Sequence, residues 1–259
     1  MNKIALITGA TSGIGKATAT KLAEIGYNII ITGRRGDRLA ALENELKAKG
    51  IKVLALQFDV RNQEEVHNAI SNLPTEWKNI DILVNNAGLA VGTSPIQDGI
   101  LDDWERMIDT NVRAVHILTK LAVRDFVQRG RGYILNVSSS AGFLPGPLMA
   151  TYYATKNYVL RLTEALREEL RRAGSPVRVC ALCPGPVDTE FNKVAGVRFS
   201  LSGLSAERVA REAVDGLFAG KAVVVPGAAM KAMTLARHFA PDSILARITY
   251  HFQHKKGAK

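Results

Sequence analysis

Residues 4–15 read Ile4-Ala5-Leu6-Ile7-Thr8-Gly9-Ala10-Thr11-Ser12-Gly13-Ile14-Gly15. A short apolar run of strand length enters a turn with three glycines, and Lys16 to Ile25 continues with helical character. The spacing is G-x-x-x-G-x-G. Glycines let a backbone approach a pyrophosphate, and a helix N-terminus offers it free N–H groups and the positive end of a dipole. The same pattern also serves as a tight strand-to-helix turn with no ligand.

Outward from this unit, apolar strand-like runs recur at 3–8, 27–32, 51–57, 81–84, 132–137, 177–182 and 222–226. Helical patterns fill the gaps at 14–25, 36–49, 62–73, 102–129, 151–173 and 205–219. Such alternation predicts an α/β fold, a parallel sheet with helices on both faces. The chain has 259 residues, 47% of them hydrophobic, which suits one large domain over residues 1–259 with a full core. There is no apolar run of about 18 residues that would cross a membrane. The glycines follow Met1-Asn2-Lys3 and its apolar stretch too soon for a signal peptide. Two cysteines, no export signal and a nucleotide cofactor point to a reducing cytoplasm. Cys180-Ala181-Leu182-Cys183 is a C-x-x-C with no second pair, so packing on a buried strand is the expected role, with Cys183 next to the cofactor segment.

The second strand ends in Gly33-Arg34-Arg35. In a dinucleotide-binding unit a carboxylate at this place accepts from the ribose 2′-OH, whereas arginine accommodates a 2′-phosphate. No acid stands at 33, so NADP(H) is expected in preference to NAD(H). Two solvated arginines are the plain alternative, with Asp37 nearby in the charge balance.

Tyr152-Tyr153-Ala154-Thr155-Lys156 places a phenol and an ammonium at i, i+4 on one helix face. The ammonium favours the phenolate and pulls its pKa down. Thirteen residues upstream, Ser139 could hold a substrate oxygen at the same point. This is a set of groups for proton transfer at a carbonyl oxygen. On its own, Y-x-x-x-K also arises from an exposed lysine beside a packed tyrosine.

With these motifs in order, the chain resembles the short-chain dehydrogenase/reductase family, in its branch of roughly 250 residues, from Lys3 to about Pro226. The resemblance implies a Rossmann-type doubly wound sheet of about seven strands in the order 3-2-1-4-5-6-7. It implies a cofactor held by Thr8, Gly9, Thr11, Ser12, Gly13, Ile14 and Gly15 in the turn, and by Gly33, Arg34 and Arg35 after the second strand. Asp59 and Val60 would meet the adenine. Asn86, Ala87 and Gly88, within Asn85-Asn86-Ala87-Gly88, would support the site. Pro184, Gly185, Val187 and Thr189 would hold the carboxamide, and Tyr152 and Lys156 would also touch the cofactor.

The implied catalytic tetrad is Asn111, Ser139, Tyr152 and Lys156. Tyr152 would be the acid in reduction and the base in oxidation. Lys156 would lower its pKa and bond the nicotinamide ribose, Ser139 would orient the carbonyl, and Asn111 would hold a relay water. Ser139 has the family spacing among Ser138, Ser139 and Ser140. Tyr153 lacks a lysine four residues on and is assigned to packing or the substrate pocket. The implied activity is hydride transfer between NADP(H) and a carbonyl or alcohol carbon, acting on CH–OH groups, most simply as a carbonyl reductase on a hydrophobic or medium-sized small molecule. A catalytically silent nucleotide sensor or scaffold is the competing expectation.

Residues 186–204 read as a substrate loop. With Leu144, Pro145, Pro147, Leu148 and Met149, the loop residues Phe191, Val194, Val197, Phe199 and Leu201 predict an apolar pocket without a dedicated carboxylate clamp, although Lys193 and Arg198 could supply one. The resemblance also implies a homodimer or homotetramer built on the helices near 102–129 and 151–173. Net charge is +10, and from Lys221 to Lys259 seven basic residues face one acid, Asp242. Aromatics make up 6% and no nucleic-acid motif is present, so nucleic acid is not an expected partner. Residues 227–259 form a basic helical extension, with an apolar run at 230–239 and a helix from Ser243 to about Phe252. It could cover the pocket, pair with another subunit or lie on an anionic membrane surface. His251 and His254 read as surface residues, and no metal is expected.

Overall fold

A computed structural model of the chain describes residues 3–191 and 203–257. Its centre is a seven-stranded parallel sheet in the order 3-2-1-4-5-6-7, as expected. The strands are β1 (Ile4–Ile7), β2 (Asn28–Gly33), β3 (Val53–Gln57), β4 (Ile82–Asn85), β5 (Tyr133–Val137), β6 (Arg178–Leu182) and β7 (Val223–Val224). All four residues of β1 and of β4 are buried. Strands covered on both faces cannot alternate with polar residues, so they read as continuous apolar runs. Only β7 is much shorter than its apolar run.

The helices are α1 (Gly13–Glu24), α2 (Gly36–Lys47), α3 (Gln63–Ser71), α4 (Leu101–Ile108), α5 (Ala114–Arg129), α6 (Ala150–Arg172), α7 (Ala206–Phe218), α8 (Ala228–Ala236) and α9 (Asp242–Gly257). One core joins Leu22 of α1, Leu42 of α2 and Val209 of α7 to the first face of the sheet. A second joins Val66 of α3, Leu118 and Phe126 of α5 and Leu170 of α6 to the other face. The single helix expected over 102–129 is interrupted by a π turn at Asp109–Arg113. Among the described residues no helix is long and apolar enough to cross a membrane.

β1 pairs with β2 on one side and β4 on the other, Ala5 lying opposite both Ile29 and Ile82. The chain therefore reverses its direction of growth at β1. In open parallel sheets, ligands bind at the carboxyl ends of the strands at such a reversal.

Candidate active site

A cleft of about 380 Å³ opens there, running from the glycine turn past Tyr152 to Gln253 of α9. Every expected site residue lines it except Thr8, Gly15 and Asn111, which lie just behind. Thr8 is buried at the end of β1; its hydroxyl donates to Val84 O and accepts from the Asn86 and Ala87 amides, both at 3.0 Å. Asn86 Nδ2 returns to Thr8 O and Gly9 O at 2.9 and 3.0 Å. These bonds tie the two strands flanking the reversal. A Cβ on Gly15 would land on Asn86 Nδ2 and Gly9 O, so helix and turn meet here only without a side chain. Gly13 has a φ of +53°, and a Cβ there would touch Thr189.

The N-terminus of α1 is built differently from that of α3. Asn62 caps α3 by accepting from the Glu64 and Glu65 amides, and both glutamates stand in its first turn. In α1 the N-cap Ser12 makes no side-chain cap and the first turn holds no acid. Its N–H groups and dipole are left facing the cleft, which suits an anion. The residues present therefore fit a dinucleotide at its pyrophosphate.

At the adenosine end, Arg35 Nη2 donates to Thr11 Oγ1 at 2.9 Å and lies 3.4 Å from Ser12 Oγ. Arg34 is 60% exposed and 3.9 Å from Asp59. Burial works to raise the Asp59 carboxyl, but hydrogen bonds from Arg61 and the charges of Arg61 and Arg34 hold it below the usual range. Glu190 pairs with Arg38 at 2.6 Å and with Arg35 at 3.5 Å. Glu190 lines the cleft and was not anticipated; it stands 152 residues from Arg38, and no local pattern announces that contact.

At the other end, the three serines separate. Ser138 Oγ donates to Lys156 O at 2.6 Å and is buried. Ser139 lies two residues past β5 and caps the turn that follows; it accepts from Ala141 N at 3.1 Å and hydrogen-bonds Tyr152. Ser140 starts a 3-10 turn, Ser140–Phe143. Lys156 Nζ donates to Val137 O at 3.0 Å and stands 5.9 Å from the centre of the Tyr152 ring.

The expected lowering of the Tyr152 pKa by Lys156 is not the net effect. Burial pushes the phenol up to about 12, against the Ser139 hydrogen bond. Burial also pushes Lys156 down to about 8, opposed by Cys183. The same loss of water disfavours both charges.

Asn111 sits in the π turn, fully buried. Its amide accepts from Leu89 N and donates to Leu89 O, both at 2.8 Å, and donates to Thr155 Oγ1 at 3.0 Å. The side chain thus clamps the segment after β4 to α6 instead of facing the cleft. Tyr153, Met149 and Phe191 line the pocket, but Leu144, Pro145, Pro147 and Leu148 do not. Lys193, Val194, Val197, Arg198, Phe199 and Leu201 lie outside the described residues. Cys183 is buried in a cluster with Phe143, Leu160 and Ala181 and does not line the cleft. Both cysteines are free.

Residues 3–197 match the short chain dehydrogenase family. The chain belongs to that family. The match stops short of the expected limit near Pro226, leaving α7, α8 and α9 beyond it. Among relatives in this family, an NADP-dependent 3-hydroxy acid dehydrogenase of Salmonella typhi is 43% identical over 192 residues, 74% of this chain and 75% of that protein. A short-chain dehydrogenase from Sphingobium yanoikuyae in complex with NADPH superposes with a TM-score of 0.80 at 32% identity, covering 92% and 94% of the two chains. A family member from Burkholderia phymatum in complex with NAD gives 0.84 at 27% identity over 92% and 93%.

Proposed function

We propose that the chain is an NADP(H)-dependent oxidoreductase working on a carbonyl or alcohol carbon of a hydrophobic or medium-sized small molecule. The observation that carries this is one cleft with Ser139, Tyr152 and Lys156 at one end and Arg34, Arg35 and the uncapped α1 N-terminus at the other. When bound, the nicotinamide supplies or accepts the hydride.

The chain's own residues do the rest. Tyr152, held as a phenol by burial, gives its proton to the carbonyl oxygen in reduction and takes it back in oxidation. Ser139 Oγ accepts from Ala141 N and hydrogen-bonds Tyr152, so the two hydroxyls meet at one point and both can turn to the same oxygen. Lys156 is fixed by Val137 O and keeps further N–H donors for ribose hydroxyls. Asn111 positions Leu89 and Thr155 around them.

Preference for NADP(H) is supported by Gly33-Arg34-Arg35, by the NADP-dependent relative and by the NADPH complex of the Sphingobium neighbour, the NAD complex of the Burkholderia neighbour notwithstanding. Free cysteines fit a cytoplasmic site of action, and a homodimer or homotetramer is the proposed assembly. The test is Tyr152→Phe. We expect loss of NADPH-dependent carbonyl turnover by at least about a hundredfold, with cofactor affinity retained. Undiminished turnover in this variant overturns the mechanism.

A further inference from the structure

Gln253 lies on α9, outside the part of the chain that matches the family, yet it lines the cleft. It is 3% exposed. Its Nε2 donates to the Tyr153 hydroxyl at 2.6 Å, while its Oε1 is buried with no partner. A buried acceptor left unpaired is costly and calls for an explanation. One turn earlier, Thr249 Oγ1 donates to Pro145 O at 2.7 Å and anchors the helix that carries Gln253. Tyr153 in turn meets the Tyr152 ring edge-on at 6.2 Å. The open oxygen thus belongs to the same cleft as the proposed proton donor, with Tyr153 linking the two side chains. Met149, Ala90 and Phe191 supply an apolar surround. Among the described residues lining this end, Lys156 is the one cation, and it is bound to Val137 O.

Resting on the proposed reaction, we infer that Gln253 determines specificity: its carboxamide oxygen receives a neutral hydrogen-bond donor at the far end of the substrate. The enzyme then takes mainly apolar ketones or secondary alcohols that carry a distal hydroxyl or amide N–H, in preference to free carboxylates. An ionised acid would bring only acceptors against an amide oxygen, in an apolar surround where an unpaired charge is disfavoured.

The test compares benzylacetone with its para-hydroxy and para-carboxylate derivatives, in the wild type, Gln253→Leu and Gln253→Met. In the wild type, kcat/KM for the hydroxylated ketone should exceed that for benzylacetone about tenfold, the worth of one good hydrogen bond, with the carboxylate poorest. In both variants that ratio should fall to about one, with benzylacetone turnover retained and Tm little changed, since losing the unpaired acceptor offsets losing the bond to the Tyr153 hydroxyl. Calorimetric affinities for the enzyme–NADP+ complex give the same ratio without turnover. An unchanged ratio by either readout, no binding of any of the three by the wild type, or an equal loss for all three with a lowered Tm overturns the inference. Tyr152-dependent turnover with an unchanged ratio leaves the oxidoreductase standing. A Gln253-dependent binding ratio without that turnover upholds the subsite and sinks the reaction.

Discussion

Burial acts on Tyr152 and Lys156 in opposite directions on the pH scale, and the two shifts set different limits. With the phenol up at about 12, the proton to be donated is present at every working pH. The ammonium, with a pKa of about 8, is lost as pH rises through that value. We therefore expect reductive kcat/KM to fall above pH about 8, and a profile flat to pH 10 would contradict it. The lysine also bears on stability. Its folded value lies below the ordinary 10.5, so the native state binds fewer protons between about 8 and 10.5. The penalty for the buried charge is complete below about 8 and fades as pH rises to 10.5, on the order of 3 kcal/mol at neutral pH. Lys156→Met should thus lose activity yet match or exceed the wild-type Tm at pH 7, and lose that advantage by pH 10.5. At the other end of the cleft, Arg34→Asp should weaken NADPH by about tenfold or more relative to NADH, read as the ratio of Kd values; equal losses would remove Arg34 from the 2′-phosphate. Ser139, Tyr152, Lys156, Arg34 and Arg35, named from motif spacing and the family resemblance, line one cleft, so their convergence was legible in the sequence. Glu190 and the clamp made by Asn111 were not, since each is defined by partners far along the chain.

The elements of the fold were legible for a related reason. A parallel strand covered on both faces must be apolar throughout, and a crossover helix must carry an apolar stripe, so period and punctuation expose both. The π turn at Asp109–Arg113 escaped, because no Gly or Pro within 101–129 marks a break in the helical segment. Polar residues inside strands carry a different signal. Asn136 of β5 is fully buried. It accepts from Asn85 Nδ2 of β4 at 2.8 Å and donates to Thr163 Oγ1 of α6 at 3.0 Å. Asn85 Nδ2 also donates to Thr119 of α5. One chain of hydrogen bonds therefore joins two strands to the two helices beneath the catalytic end. Asn136→Ala would leave one buried N–H of Asn85 unpaired and open a gap, and we expect a loss of about 2–4 kcal/mol in denaturant unfolding. Activity per folded molecule should fall as well, since β5 leads directly into Ser139 and α6 carries Tyr152. A loss below 0.5 kcal/mol would show that the network is dispensable.

Across the whole molecule, the sheet and its two cores were written in periodic patterns, whereas the course of the extension from residue 227 was not. The basic extension left three destinations open, and only tertiary contacts such as Thr249 with Pro145 bring α9 over the pocket. Its outer side still carries Phe239 at 86% and Leu235 at 65% exposure. α4, α5 and α6 also expose Ile108, Val127 and Tyr158, and His116 Nδ1 meets the Tyr158 hydroxyl at 2.6 Å. A two-fold assembly uses the same surface on both copies, so one substitution acts twice at the interface. For the proposed homo-oligomer on the 102–129 and 151–173 helices, light scattering should return two or four times 28.1 kDa. Tyr158→Glu should then dissociate the particle, and Phe239→Glu should leave it intact. Dissociation by Phe239→Glu alone would move the interface to the extension, next to Gln253's helix, and a monomer in the wild type at micromolar concentration would remove the interface altogether.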